Sequence, residues 1–134
     1  NAEFLRYGSI HRNSYLNSPA SLAEGLCTRD GTGLFFAGQL TGVEGYTESL
    51  GTGLMAGINL ARRLEGRPVA VPPPTTMLGG LYRYLREADP AHFQPMNANF
   101  GLLDPLEGRV KKDQRKARLV ARAREEYATW RGSL

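Results

Sequence analysis

Gly33-Leu-Phe-Phe-Ala-Gly-Gln-Leu-Thr-Gly-Val-Glu-Gly-Tyr-Thr-Glu-Ser49 is the stretch whose reading decides the fold. Leu34 to Ala37 is a continuous apolar run behind a turn, the pattern of a strand buried on both faces of a parallel sheet. From Thr47 the period becomes helical: Leu50, Leu54, Gly57, Ile58, Ala61 and Leu64 recur at spacings of three or four and form one stripe. Thr47 or Ser49 can cap this helix, Arg62 and Arg63 oppose its dipole in the last turn, and Gly66 with Pro68 ends it. Gly53 and Gly57 each cost about 1 kcal/mol of helix propensity relative to alanine, so close packing on the sheet or a ligand is expected to offset them.

Working outward, Gly8 to Pro19 is rich in turn formers and reads as a loop, Ser21 to Gly25 as a short helical turn or linker, and Thr28 to Gly33 as a turn. Val69 to Val71 is a brief extended piece, and Pro72-Pro-Pro74 is a stiff connector. Thr75 or Thr76 can cap a second helix with Met77, Leu78, Leu81, Tyr82 and Leu85 facing one way, ended by Asp89-Pro90. His92 to Leu103 reads as an ordered loop packed on the core. Val110 to Trp130 reads as a long basic helix with Val110, Ala117, Val120, Ala121 and Tyr127 on its inner side. The chain divides at the prolines into residues 1–71 and 72–134, and its start at Asn1, without methionine, reads as that of a fragment.

With 134 residues, 41% hydrophobic and 22% charged, the sequence has the composition of a soluble globular domain. No apolar run approaches the roughly 20 residues that span a bilayer, and no secretory signal opens the chain, so a cytoplasmic location is expected. One cysteine, Cys27, and two histidines offer no internal disulfide and no metal-ligand set. The net charge of +4 is uneven: residues 1–108 carry −2, whereas residues 109–134 carry nine Lys or Arg against three acids. Such a basic tail suits a polyanion, although a solvated helix face has the same composition.

Gly51-Thr-Gly-Leu-Met-Ala56 fits the dinucleotide pattern G-x-G-x-x-A, but that pattern needs its first glycine directly after a strand. Gly51 falls about a turn inside the helix, so packing glycines are the better reading, and a true phosphate loop would lie before Asn1. Ala37 to Glu48 carries the chemistry: buried strand, glycine-bearing turn, helix N-terminus. Unsatisfied N–H groups converge near Gly45 to Thr47, where a reduced flavin could place the negative charge of its N1 and C2 carbonyl region. Gly38 and Gln39 are placed for its ribityl chain or pyrophosphate. An ordinary turn in an unrelated α/β domain accounts for these residues equally well.

The run from Gly33 through Arg63 resembles the last FAD-binding segment of the two-dinucleotide-binding flavoproteins, with Ala37-Gly38 and Gly51-Thr-Gly53 matching. A narrower likeness rests on Phe36 to Ser49, His11-Arg-Asn13, Asn17-Ser-Pro19 and Pro95-Met-Asn-Ala-Asn-Phe-Gly101. These are similar to the bacterial folate- and FAD-dependent tRNA (uracil-5-)-methyltransferases, over nearly all of the chain to about Leu106.

The resemblance implies an α/β chain, the C-terminal part of a Rossmann-like flavoprotein: residues 1–71 the last segment of the FAD-binding domain, residues 72–134 a helical segment packed on it. The implied reaction is C5 methylation of the T-loop uridine, tRNA position 54, with methylenetetrahydrofolate as carbon donor and NAD(P)H as reductant. Gly38, Gln39, Val43, Glu44, Gly45 and Tyr46 match the flavin contacts. His11, Arg12 and Asn13 are folate candidates, since an imidazole could stack on a pterin and an arginine could hold a carboxylate, or the loop is structural. The nucleophilic cysteines of the family fall outside this chain, and Cys27 matches none of them. Lys111, Lys112, Arg115, Lys116 and Arg118, with Arg122 and Arg124 as possible extensions, could meet tRNA phosphates. A related enzyme of the tRNA wobble uridine and a generic FAD/NAD(P) oxidoreductase are the alternatives.

Overall fold

The computed structural model describes residues 14–134. Among these residues four α-helices lie in chain order: α1 (Ser18–Ser21), α2 (Tyr46–Leu64), α3 (Met77–Glu87) and α4 (Lys112–Arg131), with 3-10 turns at Glu24–Leu26, Gly38–Thr41 and Phe100–Leu102. The core gathers Leu22, Leu26, Val43, Met55, Leu81, Leu85 and Phe93. Tyr82 is buried with them, and that burial raises its phenol pKa, keeping it neutral.

No strand forms among the described residues, only three isolated bridges: Leu22 with Thr28, Cys27 with Phe35, and Val43 with Met96. The strand expected at Leu34 to Ala37 is thus corrected to a single bridged residue. Its backbone pairs on one side alone, through Thr28 N–H to the Leu34 carbonyl and Phe36 N–H to the Leu26 carbonyl. Leu34 stays 57% exposed because nothing described covers its other side. The turn before it is as read: Asp30 accepts from the Thr32 amide and hydroxyl, which lowers the carboxyl pKa.

Helix α2 presents the opposite face from the one its periodicity suggests. Thr52, Met55 and Asn59 are buried, whereas Leu50 (75% exposed), Leu54 and Leu64 of the expected stripe face outward. Polar residues win the inner face because each has a backbone partner. Asn59 donates Nδ2 to the Ala70 carbonyl at 3.0 Å and accepts the Ala70 amide at 2.7 Å, fixing the extended segment after the helix. Gly45, not Thr47 or Ser49, is the N-cap residue.

Helix α3 matches its reading. Thr76 caps it by accepting from the Gly79 amide, and Leu81, Tyr82 and Leu85 are fully buried. Gly80 is required by close approach: a Cβ there would stand 2.7 Å from the Leu102 carbonyl oxygen. The loop after α3 packs on the core as expected, placing Phe93 inside and exchanging backbone hydrogen bonds between Met96 and both Gly42 and Glu44.

In α4 the inner side is Leu119, Arg122, Ala123, Glu126 and Trp130, correcting the expected Ala117, Val120, Ala121 and Tyr127. Arg122 and Glu126 belong there because they reach backbone and hydroxyl partners. Arg122 donates to the Pro105 carbonyl at 2.9 Å and also to that of Asp104, and Thr75 Oγ1 donates to Glu126 at 2.6 Å.

Asn59→Leu keeps the branched outline but strands the buried Ala70 amide and carbonyl, each unmade bond costing about 1–3 kcal/mol. Thermal unfolding of the intact protein should show a drop in Tm well beyond that of the control Ile58→Val; equal shifts would contradict the pairing.

Candidate functional site

Three left-handed glycines shape the turn between Phe36 and α2. Gly38 takes φ +64°, Gly42 φ +84° and Gly45 φ +101°, left-handed values that a side chain resists. Gly38 donates its amide to Thr52 Oγ1 at 2.9 Å, so the turn is fastened to the second turn of α2. Thr41, wholly buried, donates its hydroxyl to the Gly38 carbonyl at 2.8 Å, and its own carbonyl accepts from Ser18 Oγ at 2.7 Å. At Gly42 a Cβ would run into the Phe93 ring, 2.6 Å from Cζ, so the loop after α3 holds the turn from beneath.

The other wall is made by residues 96–98. Glu44 N–H donates to the Met96 carbonyl at 3.0 Å, Asn97 Nδ2 to the Glu44 carbonyl at 3.0 Å, and the Ala98 amide to the Glu48 carboxylate at 3.1 Å. A Cβ on Gly45 would collide with that carboxylate. Among the described residues no side chain caps α2, so the positive end of its dipole lies uncompensated by a cap at Gly45. A pocket of about 300 Å³ opens there, lined by Gln39, Val43, Gly45, Tyr46 and Ser49.

Four of the six residues expected to touch flavin therefore meet in one pocket. Val43 contributes while its side chain is wholly buried, and Tyr46 stands 92% exposed beside it. Gly38 lies below, where a Cβ would be 3.7 Å from Ser49. Glu44 does not line the pocket; its backbone serves the Met96 and Asn97 bonds. Ser49, Thr52 and Asn97 were missed as site residues. Ser49 follows Tyr46 by three residues, a spacing that puts both on one side of a first turn.

His11, Arg12 and Asn13 lie outside the described residues. Gly51 lies within α2 and faces Leu78, where a Cβ would meet Cδ1 at 3.2 Å, so it packs helix on helix. Cys27 donates its thiol to the Glu24 carbonyl at 3.2 Å. Lys111, Lys112, Arg115, Lys116 and Arg118 are all exposed around the start of α4, and Lys116 Nζ sits 5.6 Å from the centre of the Phe100 ring. Arg122 is not part of that surface, being committed to the Asp104 and Pro105 carbonyls.

The sequence profile of the family described as Glucose inhibited division protein A matches residues 1–68. The chain belongs to this family. Among curated relatives it is 51% identical, over its full length, to a Thermus thermophilus protein named methylenetetrahydrofolate–tRNA-(uracil-5-)-methyltransferase TrmFO. A Geobacter sulfurreducens protein of the same name is 52% identical over 96% of the chain, and one from Pelotomaculum thermopropionicum 54% over 90%. The chain spans about 30% of the length of the first two and 28% of the third.

Thr52→Val keeps the shape of the buried residue but removes the acceptor of the Gly38 amide. Loss of about 1–3 kcal/mol should speed hydrogen exchange at Gly38 by roughly tenfold or more, with Thr52→Ser close to the parent. Equal exchange in the two variants would show that this bond does not hold the turn.

Proposed function

We propose that the turn from Gly38 to Tyr46 and the start of α2 hold one end of an FAD, and that the whole protein methylates the T-loop uridine of tRNA at C5. In this reading methylenetetrahydrofolate gives the carbon and NAD(P)H the electrons. The observation that carries it is the glycine-walled pocket at an uncapped helix start, in a chain half identical to proteins named for that reaction. The residues fit the cofactor. Gly45 adds no side chain of its own at the helix start, Gln39 offers both a donor and an acceptor, and Val43 lines the floor. FAD, when bound, supplies the redox chemistry. The protein's own residues bind and orient it, and the tie from Asn97 and Ala98 keeps the turn in shape beforehand.

The same reading makes residues 1–71 the last segment of a Rossmann-like FAD-binding domain and residues 72–134 a helical segment on it. The outward stripe of Leu50, Leu54 and Leu64 supports this, being the face that a helix lays on a sheet. His11, Arg12 and Asn13 are proposed for folate, and Lys111, Lys112, Arg115, Lys116 and Arg118 for tRNA phosphates. No helix of the described residues is long and apolar enough to cross a membrane, and a cytoplasmic site of action goes with the tRNA substrate.

In the intact protein, a flavin absorption spectrum and methyl transfer to a tRNA transcript that requires methylenetetrahydrofolate are the expected results. Gly45→Val should weaken flavin binding at least tenfold, because the side chain meets Glu48 and takes a left-handed φ. A colourless protein that FAD cannot reconstitute would refute the flavin site, and folate-independent transfer would refute the donor.

A further inference from the structure

A second pocket, of about 270 Å³, lies between α4, the start of α3 and the Phe100–Leu102 turn. Its deep side is Leu103, Leu119 and Thr76, all buried, and its outer side is Met77, Val120 and Tyr127. Val120 is 40% exposed and Tyr127 47% exposed, so two apolar side chains on the most basic segment of the chain stand open to solvent. Around it lie cations: Arg124 lines it, and Lys116 is held over Phe100, another lining residue. Glu126, which accepts the Thr75 hydroxyl, does not line it.

We propose that this pocket takes one unstacked base of the tRNA, a site that rests on the tRNA reading above and adds to it a base contact beyond the phosphates. The volume falls below the roughly 300–1,000 Å³ of pockets that enclose whole small ligands, and it suits a single ring system. An apolar lining beside an aromatic ring and a guanidinium is the setting in which proteins hold splayed-out RNA bases, since every base has a π-face. The charge around it is complementary to the attached phosphate, with Lys116 and Arg124 at hand. Tyr127 packs on Trp130 at 5.7 Å between ring centres.

The test is binding of the full-length protein to a tRNA transcript, and to a fully paired RNA duplex, across a salt series. Tyr127→Ala removes the stacking wall and Val120→Trp fills the pocket; both positions are open to solvent, so the fold should persist. Each is expected to weaken tRNA binding about tenfold without changing the salt slope, to leave duplex binding unchanged, and Tyr127→Phe should restore affinity. Lys112→Glu should instead lower the salt slope. Wild-type tRNA affinity in both pocket variants would overturn the proposal while leaving the tRNA reading intact. Absence of tRNA binding by the parent protein would overturn both.

Discussion

Thr52 and Asn59, two polar side chains on the buried face of α2, hold the chain on either side of that helix. Thr52 Oγ1 accepts the Gly38 amide before the helix, and its hydroxyl lies 2.9 Å from the Glu48 carbonyl within it. Asn59 matches the Ala70 amide and carbonyl after it. A buried amide left unmatched costs far more than a matched one contributes, so these bonds fix where the two flanking segments run. The Gly38–Tyr46 turn, the proposed flavin site, takes its shape from this. Its left-handed glycines have no rigidity of their own, and Thr52, Phe93 and residues 96–98 supply it.

This explains which parts were legible in the sequence. The second helix was read correctly because Thr76, Leu81, Tyr82 and Leu85 obey one rule each, a cap and a 3.6-residue stripe. The turn after Phe36 was legible through its glycines. The inner face of α2 was not, because the periodic leucines mark a face that nothing described covers, while the buried Thr52 and Asn59 look polar in sequence. The same inversion occurs in α4, where Arg122 and Glu126 point inward to partners in distant loops that no local pattern reveals. The run Leu34 to Ala37 has the composition of a buried strand but meets a partner on one side alone.

The candidate site was legible as a stretch but not as a pocket. Residues 38–46 carry the glycines, yet the pocket also takes Ser49 from the helix, and its support comes from Asn97 and Ala98 some fifty residues later. Family membership adds weight of a different kind: it bears on residues 1–68, the part that contains the whole turn and α2. Helix α4 lies beyond it, and its division into an inward face with Arg122 and an outward basic face is a matter of structure alone.

The most direct measurement is hydrogen exchange of the full-length protein with and without FAD. Binding at the turn should slow exchange at the amides of Gly38 to Thr47 and leave those of α4 unchanged. Protection elsewhere, with Gly38 to Thr47 exchanging at the same rate in both states, would contradict the account.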